Sequence, residues 1–87
     1  MKASYGELVE QWRVRRLALR EQDLARAEGA RKRLLAVKRE LAIENLFPFA
    51  GAEIRETERS LAARSPDDAL RHALFAVELA PDLAEAH

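Results

Sequence analysis

Cysteine is absent from the 87 residues, so neither a disulfide framework nor a thiolate metal site can reinforce the core. That absence fits a reducing compartment. Glycine and proline occur three times each, and the glycines are scattered, which excludes a glycine-rich loop that cradles phosphate. Long apolar runs are missing: the longest, Ala73 to Val77, covers five residues, against the ~20 needed to cross a bilayer. The opening Met1-Lys2-Ala3-Ser4-Tyr5-Gly6-Glu7 lacks the apolar stretch of a secretory signal. These absences predict a soluble, cytoplasmic segment with no membrane contact of its own.

Helix formers (Ala, Leu, Arg, Glu) dominate what is present, and β-branched residues are scarce. The net charge is zero but unevenly spread. Residues 1–45 carry eleven Lys/Arg against seven Asp/Glu, giving +4, and residues 46–87 carry four against eight, giving −4. Such a polarity favours association of opposite halves, within or between chains, although two solvated helix faces produce the same pattern. A chain of this length buries only ~60–65% of its extended surface, so its core is small.

Periodicity and punctuation predict an all-α chain of antiparallel helical hairpins, with four helices and a short fifth. The first helix is expected from Ser4 to Glu21, with Tyr5, Leu8, Val9, Trp12 and Leu19 at three- and four-residue spacing and a capping box from Ser4 to Glu7. The second runs from Leu24 to Ile43, with a stripe of Ala27, Ala30, Leu34, Val37 and Leu41. Asp23 is the expected N-cap between them; without it, one helix about 60 Å long would continue from Ser4 to Glu44. Asn45-Leu46-Phe47-Pro48 is expected to end the second helix and open the third, whose stripe is Phe47, Ala50, Ile54, Thr57 and Leu61. Ser65-Pro66-Asp67-Asp68 opens the fourth, with Leu70, Ala73, Val77 and Ala80 as its stripe. Pro81 closes that helix, and Asp82 caps a fifth over Leu83 to His87. The organisation read from this is a degenerate hairpin over residues 1–44 and a second hairpin over 45–87 that leads into a further repeat.

The stretch from Ala69 to His87 resembles the second helix of a tetratricopeptide repeat and the turn after it. That family places a small residue where the two helices of a unit cross, another seven positions later, and a proline five after that. Ala69, Ala76 and Pro81 occupy those places. Asp23-Leu24-Ala25-Arg26-Ala27-Glu28 resembles the opening of many bacterial second helices of the same family. Membership would imply a non-catalytic scaffold, part of a larger repeat protein, whose first helices line a groove for a peptide or partner helix. Carried onto this chain, the groove residues would be Val9, Trp12, Arg16, Leu19 and Arg20 from the first helix, joined by Arg55, Glu58 and Ala62 from the third. Trp12 could equally be the core aromatic of the first unit.

No constellation for chemistry stands out. The two histidines are His72 and His87, and His72 reads as a surface residue without a facing nucleophile. No metal-ligand spacing occurs, so neither an enzyme nor a cofactor-binding protein is expected. Ten Arg/Lys from Arg13 to Arg39 crowd the first two helices, but Glu21, Asp23, Glu28 and Glu40 interleave with them. Nucleic acid is therefore not expected as a partner. The expected partners are a protein or peptide and a second copy of the chain, as a dimer. The competing reading is a self-associating helical bundle that serves oligomerisation.

Overall fold

A computed structural model describes residues 3–85. The chain folds as α1 (Tyr5–Arg20), α2 (Leu24–Glu40), α3 (Phe47–Ala62), α4 (Pro66–Leu79) and α5 (Pro81–Glu85). No strand occurs among the described residues. The chain divides into two compact units between Ile43 and Glu44, each built on one helical hairpin. Ala86 and His87, the end of the expected fifth helix, lie outside the described residues.

The first hairpin is α1 packed on α2. Leu8, Arg15 and Ala18 of α1, with Ala27, Ala30, Leu34 and Val37 of α2, are buried. Burying a leucine or valine of this kind contributes about 1.5–3 kcal/mol. On α2 the buried set agrees with the first four residues of the expected stripe, while Leu41 is half-buried. On α1 it differs: Tyr5 is exposed, and Arg15 and Ala18 take the inner positions. Ser4 caps α1 by accepting the Glu7 N–H at 3.3 Å. Asp23 caps α2 by accepting the Arg26 N–H at 3.1 Å, so the single long helix does not form. The Glu7 carboxylate reaches across to the Arg33 guanidinium on α2. This hydrogen bond, and then the charge of Glu7, raise the Arg33 pKa above its ordinary value.

The turns are made without glycine. After α1, the Gln22 N–H bonds the Leu19 carbonyl (3.1 Å) and the Asp23 N–H bonds the Ala18 carbonyl (2.8 Å). After α3, Arg64 bonds Leu61 (3.1 Å) and Ser65 bonds Ser60 (2.8 Å) in the same pattern. These are Schellman closures, which need a left-handed residue at the position just past the cap. Gln22 (φ 59°) and Arg64 (φ 57°) supply it. A third closure, at Ala42 (φ 56°), joins Ala42 to Arg39 and Ile43 to Lys38. It ends α2 at Glu40, three residues before the expected Ile43.

In the second hairpin, α3 packs on α4. Leu46, Ala50 and Glu53 are buried opposite Ala69, His72, Phe75, Ala76, Leu79 and Ala80. The entry to α3 is tied to the exit of α4: the Leu46 N–H donates to the Leu79 carbonyl at 2.8 Å. Asn45 and Asp82 reinforce the junction. The Asn45 Nδ2 donates to Asp82 Oδ2 at 2.8 Å, and the Asp82 N–H donates to Asn45 Oδ1 at 3.2 Å.

Several expectations for this hairpin require correction. The stripe Leu70, Ala73, Val77, Ala80 is not the inner face of α4: Leu70 and Val77 are exposed, and the core face is Ala69, His72, Phe75, Ala76 and Leu79. Leucine occurs on both sides of this helix, so its spacing alone does not choose the face. Phe47 and Leu61 of the expected α3 stripe are also largely exposed. Ser65 occupies the N-cap position of α4 but forms no side-chain bond to the helix backbone. Its hydroxyl donates to Asp68 Oδ2 at 2.7 Å, a charge-assisted bond to the first-turn carboxylate. The fifth helix begins at Pro81, one residue before the expected cap Asp82.

Candidate partner-binding surface

A helix turns through 100° per residue, which places Val9, Trp12, Arg16, Leu19 and Arg20 in one sector of α1 about 100° wide. Val9, Trp12, Arg16 and Leu19 are half-buried, and Arg20 is exposed. The Arg16 guanidinium lies over the Trp12 ring, 5.2 Å from its centroid, a cation–π contact one turn apart. Trp12, Arg13, Arg16, Leu17 and Arg20 line an open recess of about 370 Å³. Sequence reasoning missed Arg13 and Leu17. The signal was in the spacing: Arg13 stands three residues before Arg16 and four before Leu17, and Arg20 stands four after Arg16 and three after Leu17.

On α3, Arg55, Glu58 and Ala62 are all exposed. Of these, only Glu58 lines the groove of the second hairpin, about 200 Å³ in volume. Its other walls are Ile54 and Thr57 of α3, Ala73, Ala76 and Val77 of α4, and Leu83 of α5; of these, sequence reasoning singled out only Ala76 as a site residue, at the helix crossing. Ala69 and Ala76 are buried on α4, while Pro81 is the exposed first residue of α5.

The two hairpins share a register. The N-caps Asp23 and Ser65 stand 42 positions apart, each the last residue of a three-residue connection whose middle residue is left-handed. The buried residues Ala27, Ala30, Leu34 and Val37 recur at the same offset as Ala69, His72, Ala76 and Leu79. In this register Trp12, Arg13, Arg16 and Arg20 correspond to Ile54, Arg55, Glu58 and Ala62. The two recesses share two of these positions, Trp12 with Ile54 and Arg16 with Glu58; the first is basic, carries a tryptophan and is lined by α1 alone, and the second is mainly apolar and lined by α3, α4 and α5.

His72 is not a surface residue. It is 8% exposed, and its Nδ1 lies 3.2 and 3.4 Å from the carboxylate oxygens of Glu53, itself 2% exposed. Both distances lie within hydrogen-bond range, and the direction of the bond follows the tautomer of the ring. The pair joins α3 to α4 from inside the core, and it accounts for the histidine as a structural group. Among the described residues no cluster of three His, Asp or Glu side chains could hold a metal ion. No helix among them is long and apolar enough to cross a membrane. No protein-family model matches the chain, and neither a curated protein nor a solved structure matches it.

Proposed function

We propose that the chain is a non-catalytic protein-interaction module of the tetratricopeptide-like type, acting in the cytoplasm and binding a peptide or helix of a partner protein on the faces of its first helices. The observation that supports the reading is the register of the two recesses: each includes its first helix at two equivalent positions, Trp12 with Ile54 and Arg16 with Glu58. Repeat proteins bind partners through equivalent positions of their successive units. The length of the second hairpin supports the family. From Phe47 to Ala80, just before α5 begins at Pro81, it spans 34 residues, the tetratricopeptide period. The first hairpin takes 42, from Tyr5 to Leu46. The greater length comes from a longer α2 and a six-residue passage from Leu41 to Leu46.

A peptide-display selection against the folded chain tests this reading, with selected sequences resynthesised and titrated by fluorescence anisotropy. Micromolar binding that is lost on Trp12→Ala, with the helical circular-dichroism spectrum intact, is the expected result. Binding untouched by substitutions on the first-helix faces would refute it.

A specific feature favours a second reading, self-association. Leu70, Leu74 and Val77 lie along one face of α4 and are 59, 56 and 46% exposed, a spacing that suits helix-to-helix contact between copies. Sedimentation equilibrium showing a dimer that Leu74→Glu converts to monomer would support it. A monomer at high micromolar concentration would exclude it.

A further inference from the structure

We infer that the α1 recess takes an acidic, helix-forming segment of a partner protein, an inference that rests on the interaction-module reading and adds the chemistry of the partner. Three guanidiniums, Arg13, Arg16 and Arg20, line the recess together with Trp12 and Leu17, and no carboxylate is among its described lining residues. Three acids of the same hairpin pair with arginines of α2: Glu7 with Arg33, Glu28 with Arg31 (2.7 Å) and Glu21 with Arg26 (3.9 Å). The recess therefore presents positive charge beside apolar surface.

Spacing narrows the ligand. From Arg13 to Arg20 the α1 backbone rises about 10 Å, in steps of three and four residues. A partner helix with Glu or Asp at i, i+3 and i+7 repeats that rise, so its carboxylates meet the three guanidiniums in series. Guanidinium presents a planar fork that matches carboxylate geometry. The cation–π contact steadies Arg16 against the Trp12 ring and lowers the entropy lost when it meets a carboxylate. Trp12 and Leu17 offer apolar contact for a leucine or phenylalanine on the flank of the incoming helix, and tryptophan and arginine are the residue types that carry interface energy. Nucleic acid suits the recess less well. Its uniform phosphate charge asks for a longer basic stripe, and the carboxylates of Glu21, Glu28 and Glu40 stand exposed on the same hairpin.

The chain contains one tryptophan, so the emission of Trp12 reports on the recess directly. The probe is a capped amphipathic peptide with glutamates at i, i+3 and i+7 and leucines on the adjoining face, compared with a twin carrying glutamine in place of glutamate. The acidic peptide is expected to shift Trp12 emission saturably, and its Kd to weaken about tenfold or more as salt rises from low to physiological strength and beyond. The twin should bind at least about tenfold more weakly. Arg20→Gln, an exposed position, should weaken the acidic peptide and leave the twin unchanged, and Arg16→Glu should abolish binding with helicity retained. Equal binding of both peptides, or a Kd insensitive to salt, would overturn the inference. So would displacement of the peptide by a DNA duplex at equal charge concentration, or a concentration-dependent Trp12 shift of the chain alone, which would identify the occupant as a second copy. If display-selected peptides bind with no charge dependence, the module reading stands and this inference alone fails.

Discussion

His72 and Glu53, nineteen positions apart in sequence, face one another inside the second hairpin with the ring Nδ1 between the two carboxylate oxygens. Both residues are withdrawn from water, so removing either leaves the other buried without this partner, at a cost of about 1–3 kcal/mol. Glu53→Ala and His72→Ala should each destabilise the second hairpin by that amount in urea titrations. The double variant should cost less than the sum, with a coupling of about 0.5–3 kcal/mol. Additive costs would show that the contact contributes nothing to stability.

The placement of glycine gives a second prediction. Three left-handed positions carry Gln22, Ala42 and Arg64, while Gly6, Gly29 and Gly51 sit inside helices. A side chain in the left-handed region costs about 1 kcal/mol, and a helical glycine costs about 0.5–1 kcal/mol relative to alanine. A Cβ at Gly29 meets nothing within 4 Å. Gln22→Gly, Arg64→Gly and Gly29→Ala should therefore each raise stability by about 0.5–1 kcal/mol in urea titrations, with the helical spectrum unchanged. A loss at Gln22 or Arg64 would show that the side chain itself holds the turn.

The third prediction concerns the small residues of α4. Ala69 and Ala76 are each 3% exposed, which leaves little room for added methylenes. Ala69→Leu and Ala76→Leu should each cost about 1–3 kcal/mol by overpacking. In the first hairpin Leu34→Ala should cost about 2–5 kcal/mol through the cavity it leaves. Thermal unfolding followed by circular dichroism separates these from neutral surface changes. Tolerance of leucine at both positions would mean a looser α3–α4 interface than the one described.

Sequence signals of different strength explain what was legible. Ser4, Asp23 and the Ser65-Pro66 pair place helix starts because side-chain oxygens and proline act locally. The end of α2 was not legible, because an alanine takes the left-handed position where glycine is the usual marker. The inner face of α4 was misread because Leu70, Ala73, Val77 and Ala80 recur as regularly as the true core residues, though only Ala80 of them is buried, and alanine and histidine give weak burial signals. His72 was read as exposed because its partner lies on another helix, beyond the reach of local spacing. Of the candidate surface, the Trp12–Arg16–Arg20 ridge could be read from four-residue spacing within one helix. The groove of the second hairpin joins three elements, and only folding brings its walls together.

The most direct test of the account is amide chemical-shift mapping of the isotopically labelled chain titrated with a display-selected peptide. Shifts concentrated between Val9 and Arg20 on α1, or between Ile54 and Ala62 on α3, are the predicted result, with the outward faces of α2 and α4 unmoved. Shifts centred on the Leu70–Leu74–Val77 face of α4, appearing with chain concentration rather than with peptide, would contradict it and make self-association the primary activity.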